Sequence, residues 1–461
     1  MPRPRHHWGV ETHERVRQAI ERWRGSEAQA WVAAWEGLDG DEAPAVVFPR
    51  VDPETFHAAA FGPDERAAAT AHLARAAYER RAAPLRAELQ ASLPATVRLE
   101  GDLVPVSEAV LALLDASRSR PARRALEPIA CRAASGALAV QRHGAAAAME
   151  WLGAVEAQGH PDGGPPADDT RAAAHRLLEL TDDAMRDLAD RQGVERASDW
   201  LPVLHRGRDL FRPERRFQRI AADIEGLGLR GTLASHVHVA SATPHPFRAR
   251  LAVRRPEDIR LAGPALDGVL GEVFAAEGLG RALGLALVSG DLSPALRRPV
   301  AASVSRAFGA LLAQVVADPI ALRRRGLTRS ETERAQRSAA AVILVVARLA
   351  AADVLVAGDA LEARSAWVGR ALGADVEPGS AVCLGSSAAR PRFRGVLGGL
   401  ALFAALRELH DEDWFRNPRA AEPLRGAATP GGRTSIEAVL GDLGAAPDLA
   451  FERLLEIVAR A

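Results

Sequence analysis

A mainly α-helical protein with few strands is the fold class this sequence predicts, and three observations carry it. Nearly half of the 461 residues are apolar, with alanine supplying much of that share and aromatics only 5%. Alanine-rich, aromatic-poor chains favour long, closely packed helices over a β-sandwich or barrel. Over long stretches the apolar residues recur at three- and four-residue steps between arginines and glutamates, the pattern of helices with one buried face. The length suits a large helical fold or two domains, since a domain takes ~100–200 residues.

The elements follow in order. Residues 10–38 and 63–93 carry the amphipathic period and predict an N-terminal helical region, 1–158. Residues 159–169 (Gly-His-Pro-Asp-Gly-Gly-Pro-Pro-Ala-Asp-Asp) collect turn formers without a periodic apolar residue and predict a linker. The second domain, 170–461, opens with helical patterns over 170–191 and 213–227. Residues 232–240 (TLASHVHVA) alternate with period two, predicting a strand that pairs with a second at 249–253. Helical patterns resume at Leu266 and run to the end, with loops at 289–294 and 373–394. The most apolar segment, 339–347, is interrupted by Arg348, short of the ~20 residues a membrane span needs, and predicts a buried helix.

Composition excludes several functions. Basic and acidic residues balance at 59 each, so no global field draws in nucleic acid or an anionic membrane. All the basic residues are arginine; without lysine there is no Walker A loop and no pyridoxal-phosphate Schiff base. The arginine runs at 212–219 and 322–328 have acidic neighbours and predict solvated helix faces. Gly226-Leu-Gly-Leu-Arg-Gly matches GxGxxG, but it follows a helix and is expected to open a strand, so it predicts a capping turn and no dinucleotide site. Cys131 and Cys383 stand far apart, which fits a reducing compartment, and no apolar stretch follows the basic start. The expected location is cytoplasmic.

One segment bears on function. Residues 255–261 (Arg-Pro-Glu-Asp-Ile-Arg-Leu) are followed by Leu266-Asp-Gly-Val-Leu-Gly-Glu-Val-Phe-Ala-Ala-Glu-Gly-Leu-Gly-Arg-Ala-Leu-Gly. This resembles the oligoendopeptidase and thimet-oligopeptidase-like zinc metallopeptidases, in which a strand and a glycine turn lead into a helix reading His-Glu-x-Gly-His-Ala-Leu. Further stretches agree in order: 205–229, 307–319 and 411–425. The resemblance implies a large helical metallopeptidase-like (gluzincin) fold with a small β-sheet beside a peptide cleft. It also implies a zinc held by two histidines one turn apart and a glutamate of the next helix, with the motif's own glutamate activating water.

Aligned on Gly280-Arg-Ala-Leu, this chain has Glu277 and Arg281 at the histidine positions and Gly278 at the catalytic glutamate, with the third ligand near Ser303. Arginine has no lone pair for a cation and glycine no side chain. The motif is therefore degenerate, with no catalytic residue and no cofactor expected. Glu277 precedes Arg281 by four residues, the favourable orientation for a helical ion pair, and a salt bridge is expected there. The family's carbonyl-polarising tyrosines and histidine would come from a late loop, but the single tyrosine is Tyr78; residues 386–394 offer Phe393 and Arg394 as cleft candidates.

The resemblance thus implies an inactive pseudopeptidase binding a peptide or protein partner, an active relative among them. Two alternatives stand beside it. His236 and His238 would share one face of the predicted strand and, with His245 and Glu257 or Asp258, could hold a relocated zinc for an active metallopeptidase. The other alternative is an unrelated helical scaffold.

Overall fold

The computed structural model describes most of residues 6–35, 46–105 and 167–461, with 241–249, 298–302, 357–360 and 377–388 outside it and only isolated residues between 106 and 166. Helices dominate the described residues, as predicted. Two long helices, α1 (His6–Trp35) and α2 (Pro63–Ser92), match the amphipathic stretches of the N-terminal half, and a short hairpin of β1 (Thr96–Leu99) and β2 (Asp102–Pro105) follows. Val16, Ile20, Phe56 and Leu73 make a small core between α1 and α2.

Helix α3 (Ala167–Gln192) starts inside the predicted linker, so its last residues, 167–169, are helical. The rest of that linker, 159–166, lies outside the described residues. After α4 (Trp200–Leu204) and α5 (Arg216–Asp223) a 3-10 turn, Glu225–Leu227, ends at Gly228 with φ +69°. The GxGxxG match is thus a capping turn; it opens a helix, α6 (Arg230–His236), where a strand was predicted. Only Val237–Ala240 is extended, as β3.

The sheet has the order β3-β5-β4, with β4 Arg250–Arg255 and β5 Asp258–Ala262. β5 runs parallel to β3 (Val237 opposite Ile259) and antiparallel to β4 (Val253 opposite Ile259). The two strands predicted to pair with each other therefore flank a third. Ile259 and Leu261 of that central strand are fully buried.

The remaining helices are α7 (Gly268–Ala286), α8 (Pro294–Arg297), α9 (Ser303–Val315), α10 (Pro319–Arg324), α11 (Arg329–Leu355), α12 (Leu361–Leu372), α13 (Ala389–His410), α14 (Ala421–Ala428), α15 (Ile436–Asp442) and α16 (Leu449–Val458). His72 of α2 meets the Ala295 carbonyl of α8 at 3.1 Å, joining the N-terminal helices to this bundle. α7, α9 and α13 lie side by side, with α11 behind them.

Helix α7 is apolar nearly all round and buried on most sides, as such a helix must be. α11 is long and apolar enough to cross a membrane, yet 83% of its most apolar window is buried inside the protein. It is a core helix. Its fully buried Arg348 donates to the Ala371 and Leu178 carbonyls at 2.9 and 3.1 Å and to Asp182 at 2.8 Å. A guanidinium so far from water is tolerable only with its donors occupied.

Candidate functional site

The helix that carries Glu277, Gly278 and Arg281, α7, is fixed by close backbone approaches. At the turn from β5 into α7, Gly268 has φ +66°, and a Cβ there would lie 2.6 Å from the Arg206 carbonyl oxygen and 2.7 Å from that of His205. Only glycine suits both demands. At Gly280, a Cβ would run into the Phe308 carbonyl of α9. Gly284, one turn on, faces the Ser305 Cα at 3.2 Å. Position rises along α7 as it falls along α9, so the two helices run antiparallel, with the motif glycine at their crossing.

Glu277 and Arg281 lie one turn apart on α7 and rest together on Gly309 of α9. A Cβ on Gly309 would stand 2.8 Å from the Arg281 Cγ and 3.0 Å from the Glu277 Cγ. The expected salt bridge between them does not form: among the described residues no ion pair joins them within 4 Å, and the Arg281 guanidinium makes no hydrogen bond. Both stems pack along the bare backbone at Gly309, and that packing sets their directions. Arg281 Nε is shut off from solvent without a partner, although the residue as a whole stays partly exposed. Burial pulls the Arg281 pKa down; nearby Glu277 opposes the shift and Arg392 of α13 adds to it.

The other expected residues fall elsewhere. Ser303 is the first residue of α9, buried, with its carbonyl 3.2 Å from where a Cβ on Gly395 of α13 would be. In this register the α9 residue beneath Glu277 and Arg281 is Gly309, which offers no side chain. Phe393 and Arg394 belong to α13 and not to a loop. Phe393 is fully buried in the helical core and so cannot line a cleft, while Arg394 Nε pairs with Glu437 of α15 at 2.6 Å. Burial raises the Glu437 carboxyl, but the bonds from Arg394 outweigh it and hold the pKa below the ordinary range.

The histidines of the relocated site do not share a strand face. His236 ends α6, its Nδ1 3.0 Å from the Thr232 carbonyl, and the strand begins one residue later. His238 is exposed on β3 with Nε2 3.8 Å from Asp258, whose carboxylate also pairs with Arg260 at 2.7 Å. His245 and Glu257 lie outside the described residues.

A charged cluster that the sequence reading missed sits one turn before the motif. Glu272 of α7 is fully buried; its Oε1 accepts from Arg325 at 2.8 Å, and its Oε2 lies 3.2 Å from both Arg216 and Arg219. Arg325 also binds Asp223 of α5, and Arg216 donates to the Leu266 carbonyl at 2.6 Å. Arg216 and Arg325 come from the runs expected to be solvated, yet their side chains are only 5% and 9% exposed. The available signal was Glu272 itself, a carboxylate flanked on both sides by apolar residues of the helix.

Zinc does not fit these residues. Among the described residues no three His, Cys, Asp or Glu side chains come together as a ligand set. The motif positions present a guanidinium, a bare glycine and one carboxylate, and a guanidinium repels a cation and can donate no lone pair.

No protein-family profile and no curated protein sequence matches the chain. Solved structures do. An M32 carboxypeptidase from Deinococcus radiodurans R1 aligns over 97% of this chain and 100% of its own, with a TM-score of 0.56 and 15% identity. A carboxypeptidase from Pyrococcus furiosus aligns over 97% and 99%, with a TM-score of 0.58 and 11% identity. An oligoendopeptidase F-like protein from Bacillus anthracis aligns over 86% and 78%, with a TM-score of 0.53 and 11% identity. At such identities the likeness establishes the mainly helical fold that the chain shares with these structures.

Proposed function

We propose that this chain is a catalytically inactive, oligoendopeptidase-like protein that binds a peptide or protein partner in a cleft kept from that fold. The observation that supports it is Arg281, seated with Glu277 on Gly309 at the crossing of α7 and α9, where the resemblance puts a metal-binding histidine. A cation at that point would face a guanidinium, and Gly278 offers no group to activate water. No metal or cofactor takes part. The balanced charge argues for peptide or protein partners, an active relative among them, over nucleic acid or membrane. A cytoplasmic location is part of the same proposal.

A fluorogenic peptide library, assayed for retention and for cleavage with and without added zinc, tests this reading. Retention without turnover is expected. Chelator-sensitive cleavage would overturn it and direct attention to His236, His238 and His245 as ligands of a relocated metal.

A further inference from the structure

We infer that Arg281, with Arg392 beside it, forms an oxyanion-binding site, taking a carboxylate or a phosphate at the position where the resemblance puts a cation. The inference deepens the peptide-binding proposal and rests on it for the carboxylate source.

The argument starts from donors. A guanidinium carries five N–H groups, and two other arginines of the helical core with little access to water have acceptors: Arg348 has carbonyls and Asp182, and Arg325 has Asp223 and Glu272. Arg281 has none among the described residues, and its Nε is closed to solvent. Buried donors are rarely left without acceptors in folded proteins, because the desolvation of each is then uncompensated. What surrounds Arg281 on α9 is the backbone at Gly309, and the α7 residue three before it is Gly278, so neither neighbour brings a side-chain acceptor. Glu277 lies near but outside hydrogen-bond and ion-pair range.

A second guanidinium strengthens the site. Arg392 of α13 is close enough to depress the Arg281 pKa, and its own contact with buried Asp353 is a loose 4.0 Å at 23% exposure. A guanidinium with its donors unused, and a second positive charge near enough on α13 to be felt, suits a planar or tetrahedral oxyanion and rejects a cation.

Calorimetric titration of the full chain tests the site with three probes: sodium phosphate, a short acetylated peptide acid and its amide. If the anion is a peptide carboxylate, the acid binds about tenfold tighter than the amide, the scale of a charge-assisted hydrogen bond. Arg281→Gln removes that difference and Arg392→Gln reduces it. If the source is a free anion, phosphate binds, Arg281→Gln abolishes the binding, and neither peptide competes; this keeps the site and overturns the peptide reading. Acid and amide binding equally, with Arg281→Gln unchanged and phosphate silent, overturns the site and leaves the peptide reading standing. No heat from any probe overturns the site. The comparison of acid, amide and phosphate on the unaltered chain does not depend on any variant folding.

Discussion

Arg325, which pairs with Glu272 of helix α7, and Arg281, on α7 itself, meet opposite fates. Burial lowers the Arg325 pKa, but Glu272 and Asp223 more than reverse that, so its pKa ends raised. Burial lowers the Arg281 pKa too, and there Glu277 is too distant to restore it while Arg392 adds repulsion. The sign of each shift gives its effect on stability. A base whose pKa rises on folding stabilises the fold while it is protonated; one whose pKa falls weighs against the fold across the same range. Arginine stays protonated in proteins, so both effects are present at neutral pH. The Glu272 turn of α7 therefore anchors the helix, while Arg281, nine residues on, keeps a cation whose donors have no acceptor among the described residues.

The largest expected effect comes from removing the anchor. Glu272→Ala takes the shared carboxylate from Arg216, Arg219 and Arg325, leaving Arg325 only Asp223 and Arg216 only the Leu266 carbonyl, and urea denaturation should show a loss of roughly 3–5 kcal/mol. A loss under about 1 kcal/mol would mean that the cluster is not the support the contrast requires. Gly280→Val is expected to cost about 1–3 kcal/mol or more by the same measurement, because its side chain meets the Phe308 backbone. That tests whether the helix crossing holds the motif in place.

The opposite sign is expected at Arg281. Arg281→Met removes an uncompensated charge and keeps the volume, so stability should stay level or rise by up to about 2 kcal/mol while anion binding disappears. A loss as large as that of Glu272→Ala would erase the difference between the two arginines. Arg394→Ala, which breaks a partly exposed pair with Glu437, should change stability by less than about 1 kcal/mol and sets the lower end of the scale.

Acid should act through Asp182. Burial raises its carboxyl, but the hydrogen bonds from Arg370 and Arg348 outweigh that and its pKa ends lowered. A carboxylate depressed on folding adds stability above its unfolded pKa, near ~4, and loses it as pH falls through the folded value. Melting temperature should therefore drop as pH falls below about 4, and less steeply in Asp182→Asn.

Much of the helical fold was legible because long amphipathic periods and a wholly apolar helix leave few alternatives. Residues 230–240 were not. Seven of them form a helix after the Gly228 cap, and over so short a span alternation does not separate strand from helix. Of the site, only the residue types were legible: Glu, Gly and Arg stand at 277, 278 and 281, with no histidine among them. Contacts made across the chain were not. Arg216 and Arg325 sit in runs that read as solvated, and only folding brings Glu272 between them. The missing Glu277–Arg281 bridge depends on Gly309, thirty-two residues after Glu277, and no local spacing rule includes it.

Metal content of the purified chain, by plasma mass spectrometry after exposure to excess zinc and desalting, is the most direct test of whether a guanidinium has taken the place of a metal ligand. The expected result is far less than one zinc per chain, unchanged in Arg281→Gln. One zinc per chain, removable by a chelator and restored on adding the metal, would contradict it.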